Sequence, residues 1–298
     1  LGCTDSAIVT VTIGGYAGTP GPDFSVCNNE SLNLFKLFKG VPTPSPQTNG
    51  TWNDDSGAGG LSGNTLNTAA PPSGNTYPYT YTVPSPLGST CNSSVSSTVN
   101  VSIFRGPESG TPTNLQLCSN VLGTYTNFDL FEQLNGEDIG GAWTDAGLGE
   151  ITSATDSNIN IQNIYNTRGP GVYSFTYTVP SNYLVCSDQS SSVDITIEKQ
   201  LDFTGATFNV VDSICEGLIT PTIWGDLFQG VQNIPNGAYE VTYTITGVPL
   251  PITTTQNFIG GKMQLPIPSS NFSGVGSYTI TITNIVSTSS LGICNNII

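Results

Sequence analysis

The sequence predicts an all-β chain, a tandem and elongated array of small β-sandwiches, one after another. Three observations predict it: a repeat near 95 residues, aromatic segments that alternate at period two, and cysteines that recur in a fixed order. The cysteines are Cys3, Cys27, Cys91, Cys118, Cys186, Cys215 and Cys294, with gaps of 24, 64, 27, 68, 29 and 79 residues. Cys27 to Cys118 spans 91 residues and Cys118 to Cys215 spans 97, which is the size of one small sandwich.

The elements follow from that period. Before the second cysteine of each repeat stands an aromatic strand: Tyr77-Pro-Tyr-Thr-Tyr-Thr-Val-Pro-Ser85, then Tyr173-Ser-Phe-Thr-Tyr-Thr-Val-Pro-Ser181, then Tyr278-Thr-Ile-Thr-Ile-Thr283. Apolar residues alternate there with Thr or Ser, the pattern of an antiparallel strand with one inward face. After that cysteine comes a second alternating strand, at Ala7 to Ile13, Ser97 to Ile103 and Ser192 to Ile197. Leu32 to Phe38 and Phe128 to Leu134 follow the first cysteine at matching places and predict one helical turn each, seating Phe35 or Phe131 in the core. Gly14 to Pro22 and Gly106 to Pro112 read as short tethers between repeats. The expected division is residues 1–18 as the last strand of a preceding domain, then domains over 19–106, 107–199 and 200–298. The third lacks the Gly-x-Trp element of Gly50-Thr-Trp52 and Gly141-Ala-Trp143, offers Tyr239 to Ile245 instead, and reads as a different subtype missing its last strand.

Composition narrows the functions. The chain has 298 residues, 21 acidic and 6 basic side chains, a formal charge of −15 and no histidine. Catalytic pairs built on His and His-ligated metal sites are therefore excluded, and a phosphate backbone would be repelled. No nucleic-acid partner, no membrane span and no enzyme activity are expected. Charged residues make up 9%, against roughly 25% in ordinary soluble domains, so Ser, Thr, Asn and Gly cover the surface.

Cysteines without Cys-x-x-Cys spacing indicate disulfides and an oxidising, extracellular setting. Two pairing phases fit. One closes each repeat, Cys27 with Cys91, Cys118 with Cys186 and Cys215 with Cys294, giving one disulfide per domain and leaving Cys3 to pair outside the segment. The other crosses the junctions, Cys3 with Cys27, Cys91 with Cys118 and Cys186 with Cys215. The first is preferred because it ties a domain's opening segment to its penultimate strand.

Candidate chemistry is sparse. Asp54-Asp55, Glu137-Asp138 and Asp145 with Glu150 are the closest carboxylate clusters, and none sits in a catalytic frame. Asn53-Asp54-Asp55 and Glu137-Asp138 also offer oxygen ligands to calcium, without resembling an EF-hand; no other cofactor is expected. Trp52 and Trp143 read as core plugs, and as sugar platforms only if they prove exposed. The four lysines, Lys36, Lys39, Lys199 and Lys262, are too few and uneven for isopeptide bonds. Asp5-Ser6-Ala7 and Asp212-Ser213-Ile214 match a short pattern of bacterial O-glycosylation, marking Ser6 and Ser213.

Gly-x-Trp, then Tyr-x-Phe/Tyr-Thr-Tyr-Thr-Val-Pro, then a cysteine and a Val/Ile strand resembles the repeats of very large Bacteroidetes surface proteins of gliding motility and type IX secretion. Gly274-Val-Gly-Ser-Tyr-Thr-Ile-Thr-Ile-Thr283 with Cys294 resembles a second repeat type of the giant SprB-like gliding adhesins. The resemblance implies Ig-like modules in an outer-membrane-associated cell-surface filament that serves adhesion and gliding. It implies as partners the neighbouring repeats, the gliding or secretion machinery and surface polysaccharides. The competing expectation is a carbohydrate-binding array on a secreted, polysaccharide-associated protein.

Overall fold

Alternation at period two places every second side chain of a strand on one face, and the long aromatic strands obey it. In Asn75–Val83 the residues Tyr77, Tyr79, Tyr81 and Val83 are buried. The intervening threonines face out and bond across to the next strand, Thr76 to Ser102 at 2.7 Å, Thr80 to Thr98 at 2.7 Å and Thr82 to Ser96 at 2.8 Å. Cross-strand hydroxyl pairs of this kind stabilise a sheet face without charge.

The computed structural model describes residues 7, 9, 15–39, 45–85, 93–210 and 222–298. Nearly all regular structure is β, arranged in two compact units. The first comprises Leu1–Ser109 with Gly136–Gly141 and Thr178–Ser190. Its larger sheet has the order Phe24–Cys27, Val95–Phe104, Asn75–Val83, Thr51–Asp54, and its smaller one the order Ser31–Asn33, Thr65–Asn67, Leu61–Ser62. Phe24–Cys27 runs parallel to Val95–Phe104, with Cys27 opposite Phe104. Lettered along the chain these are A′-G-F-C and B-E-D, the immunoglobulin arrangement.

The expected helical turn is a 3-10 turn at Leu34–Leu37, capped by the Asn33 side chain accepting from the Phe35 amide. Leu34 and Leu37 enter the core, while Phe35 covers it from the side. The matching turn at Leu130–Gln133 is capped by Asp129 and buries Leu130, with Phe131 at its flank.

The second unit comprises Gly110–Asn135, Ala142–Tyr177 and Ser191–Ile298. One sheet repeats the A′-G-F-C order with Leu115–Cys118, Gln189–Glu198, Gly171–Val179 and Ala142–Thr144, and Phe128–Asp129 pairs with Asn158–Ile159. Helix Ile161–Arg168, unforeseen in the sequence, begins at an Asn160 cap and ends at Gly169, whose φ is 83°. The third repeat is a six-stranded sheet, Thr207–Asn209, Thr222–Phe228, Lys262–Pro268, Ile252–Ile259, Gly237–Ile245, Ile280–Ser287, around a core that includes Tyr243, Phe258 and Leu265. The strand expected from Tyr278 begins at Ile280 instead.

A tyrosine hydroxyl donates to a carbonyl a few residues upstream in every repeat: Tyr77 to Pro72 at 2.6 Å, Tyr173 to Gly169 at 2.7 Å, Tyr239 to Pro235 at 2.8 Å and Tyr278 to Gly274 at 3.0 Å. This is the tyrosine corner of immunoglobulin-type sandwiches.

Candidate functional site

Two cysteine seams form the most elaborated feature of the chain. Cys27 ends the strand Phe24–Cys27, and Cys186 lies in the loop after the aromatic strand of the next repeat. Cys118 ends Leu115–Cys118, and Cys294 lies in the corresponding loop after Ile280–Ser287. The bridges are Cys27 to Cys186 and Cys118 to Cys294, each with Cα atoms 5.0 Å apart. Both expected pairing phases are therefore corrected: neither Cys118 to Cys186 nor Cys186 to Cys215 forms. The opening cysteine of a repeat bonds to the closing cysteine of the following repeat. Cys3, Cys91 and Cys215 lie outside the described residues.

The first seam lies wholly in the first unit. The Asn28 amide donates to the Phe104 carbonyl at 2.8 Å, and the Asn28 side chain accepts from the Gly106 amide at 2.8 Å. A Cβ on Gly106 would stand 3.0 Å from the Cys27 sulfur, so the disulfide is seated against a bare backbone. The Phe104 and Tyr183 rings lie 4.6 Å apart. Arg105 pairs with Asp138 at 2.8 Å, and Asp138 also accepts from the Glu108 amide at 2.9 Å while its own amide donates to the Glu108 carbonyl. The hydrogen bond from Arg105 holds the Asp138 carboxyl below its ordinary value. This ion pair is open to solvent and contributes little alone.

The second seam, in the second unit, is built on a charge. Glu198 stands opposite Cys118, where Phe104 stands opposite Cys27. Its carboxylate accepts from the Ser290 hydroxyl and from the amides of Leu291 at 3.1 Å, Ile293 at 2.7 Å and Cys294 at 3.0 Å. Burial alone would raise its pKa, but these hydrogen bonds outweigh burial and hold it below the ordinary value. The Ser119 hydroxyl accepts from the Gln200 amide, as Asn28 does from Gly106, and the Gln200 side chain donates to the Asn295 carbonyl at 2.7 Å.

The other sequence-predicted residues serve the fold. Trp143 is 2% exposed, and Trp52 is partly buried against Phe38, Tyr81 and Phe35. The trios Phe35, Trp52, Tyr81 and Phe131, Trp143, Tyr177 agree closely: Phe–Trp separations are 5.6 and 5.6 Å, Phe–Tyr 5.0 and 5.1 Å, Trp–Tyr 5.1 and 5.2 Å. The glycine of Gly-x-Trp is explained in the first repeat, where a Cβ on Gly50 would meet the Thr82 carbonyl at 2.5 Å and the Tyr81 ring at 2.6 Å. The Tyr81 hydroxyl instead accepts from the Gly50 amide at 2.9 Å.

Asp54 accepts from the amides of Ser56, Gly57 and Gly59, and Asp145 from those of Gly147, Glu150 and Ile151. In both, burial pushes the carboxyl up and the hydrogen bonds more than reverse it. Asp55 accepts from Asn53 and Thr80, and Glu150 from Asn160 and Asn163. These acids therefore close loops rather than converge. Among the described residues no three His, Cys, Asp or Glu side chains cluster as metal ligands. Lys262 pairs with Asp226 at 2.9 Å. Ser6 and Ser213 lie outside the described residues. Trp224, 53% exposed on the strand Thr222–Phe228, is a further exposed aromatic, and its place between the inward-facing Ile223, Gly225 and Leu227 of an alternating pattern is the sequence signal for it.

No family model matches the chain, and no characterised protein matches it in sequence. Among solved structures it is similar to a Ca2+-stabilized adhesin that helps an Antarctic bacterium reach out and bind ice, at 14% identity over 92% of this chain and 72% of that one, TM-score 0.25. It is similar to a 1.5-MDa bacterial ice-binding adhesin at 11% identity over 74% and 75%, TM-score 0.23. Sidekick-1 immunoglobulin domains 1–5 match at 11% identity over 92% of this chain, TM-score 0.23, and the chain spans only 57% of their length. Likenesses at these TM-scores identify neither fold nor function. Among the described residues no helix is long and apolar enough to cross a membrane.

Proposed function

We propose that the chain is a run of structural and adhesive stalk repeats from a large cell-surface filament protein that mediates attachment to surfaces. On the resemblance of its repeats to the SprB-like adhesins, we extend the proposal to gliding motility, type IX export and an outer-membrane-associated, extracellular location. Its partners in this reading are its neighbouring repeats, surface polysaccharides and the gliding or secretion machinery, with no cofactor and no catalysis required. One observation carries the reading: disulfides that join successive repeats, Cys27 to Cys186 and Cys118 to Cys294. Such bonds make an array continuous, which suits a role in length and resistance more than a self-contained binding module.

The exposed Trp224 favours a second reading, a carbohydrate-binding array, since an indole face in water is a stacking surface for sugars. Replacing the segment in the full-length protein by unrelated sandwich repeats of equal number separates the two. Attachment and cell movement should persist if the segment is a stalk. Their loss, with surface display intact, would place the ligand site in the segment and overturn the stalk reading.

A further inference from the structure

The four bridged cysteines occur in the order Cys27, Cys118, Cys186, Cys294, and the bonds join the first to the third and the second to the fourth. The two covalent loops, of sequence separation 159 and 176, therefore interleave instead of lying side by side. Interleaving changes how far a chain can be drawn out, because tension follows the shortest covalent path. From Cys27 to Cys294 the backbone path is 267 residues. With both bridges the shortest path crosses from Cys27 to Cys186, runs backwards along the 68 residues to Cys118, and crosses to Cys294.

We infer that the bridged chain is an extension-limited tether. Unfolding all three repeats under tension yields about 240 Å between Cys27 and Cys294, against about 930 Å for the unbridged backbone, at roughly 3.5 Å per residue. This deepens the stalk reading and rests on it only for its biological use, since the covalent path follows from the two bonds alone. The segment between Cys118 and Cys186 bears the tension, entered from its C-terminal side. Residues 28–117 and 187–293 stay slack even when unfolded.

The single bridges predict a distinctive arithmetic. Without Cys27 to Cys186 the shortest path is the 91 residues from Cys27 to Cys118, and without Cys118 to Cys294 it is the 108 residues from Cys186 to Cys294. Losing one bridge thus lengthens the limit by about 80 or about 140 Å, whereas losing both adds about 700 Å. Each bridge is a near-complete substitute for the other.

The test is single-molecule stretching of the whole chain held at its termini, in a background with Cys3, Cys91 and Cys215 changed to Ser. The variants are Cys27→Ser, Cys118→Ser and both together, with the doubly bridged protein before and after reduction as a control that requires no refolded variant. Limits that differ from one another as the four paths do, with the double loss about three times the sum of the single losses, are expected. Additive losses would mean bridges that act separately and would overturn the inference, as would a doubly bridged chain that reaches the full backbone length. Either result leaves the repeat-replacement test of the stalk reading to be judged on cell attachment alone.

Discussion

Replacing Glu198 with Gln should loosen one seam and spare the other. The Glu198 carboxylate receives one hydroxyl and three amide donors from Ser290 to Cys294. A Gln amide in its place turns one accepting oxygen into a donor, which faces either the Leu291 side or the Ile293 and Cys294 side. Unmatched buried donors cost about 1–3 kcal/mol each, and at this half-buried position two of them at the low end amount to about 2 kcal/mol, or roughly 30-fold in the opening equilibrium. All four bridged cysteines are 7–9% exposed, so a reductant reaches them chiefly when the seam opens. A phosphine reductant, followed by alkylation and mass spectrometry, reads each bridge separately. Cys118 to Cys294 should be reduced about 30-fold faster in the E198Q protein, with Cys27 to Cys186 unchanged because Phe104 holds the equivalent place there. The folded pKa of Glu198 lies below its ordinary value of 4.5, so its contribution is complete above about pH 4.5 and is lost as pH falls through the folded value. The rate advantage of the E198Q bridge over the native one should therefore shrink in acid, a ratio from which the phosphine's own protonation cancels. Unchanged rates in E198Q at neutral pH, or equal acceleration of both bridges, would refute the reasoning.

Two further outcomes follow from the surroundings of Gly50 and of the tryptophans. Gly50→Ala forces a Cβ into the Thr82 carbonyl and the Tyr81 ring and should cost about 1–3 kcal/mol, read as faster hydrogen exchange along Asn75–Val83 with Gly171–Val179 unaffected; unaltered exchange in the first strand would sink the clash. In single-tryptophan variants, Trp143 should emit in the blue and resist acrylamide, and Trp224 should be quenched freely; equal quenching would contradict their 2% and 53% exposures.

What could be read from sequence was local. The alternation in Tyr77 to Val83 and Tyr173 to Val179 specifies strands and their inner faces because each residue's environment repeats every second position. The 3-10 turns were legible from matching Leu and Phe positions. Asp54 and Asp145 read from sequence as loop acids, and the structure places both in loops; the glycines after them, Gly57 and Gly147, are the mark of a carboxylate closing a loop on backbone amides. Helix Ile161–Arg168 was missed because only Ile161 and Ile164 face inward, too few to show a period. The bridge partners were not legible at all. Cys91, Cys186 and Cys294 occupy the same place in successive repeats, so nothing local distinguishes a bond within a repeat from a bond to the next. That choice is made where strands end, at Cys27 beside Phe104 and Cys118 beside Glu198.

The order of the bridged cysteines also sets a timetable. Cys27 is made 159 residues ahead of its partner, and Cys118 appears before either closing cysteine. In a chain oxidised as it emerges, Cys27 meets Cys3, Cys91 and Cys118 before Cys186, and any bond it makes with them must later be broken by thiol exchange. Native pairing therefore favours sandwiches that fold while still reduced, so that the sulfurs are brought together by finished strands. A cell making this protein gains from delaying oxidation or from supplying an isomerase, and recombinant yield should depend on the redox buffer more steeply than on temperature.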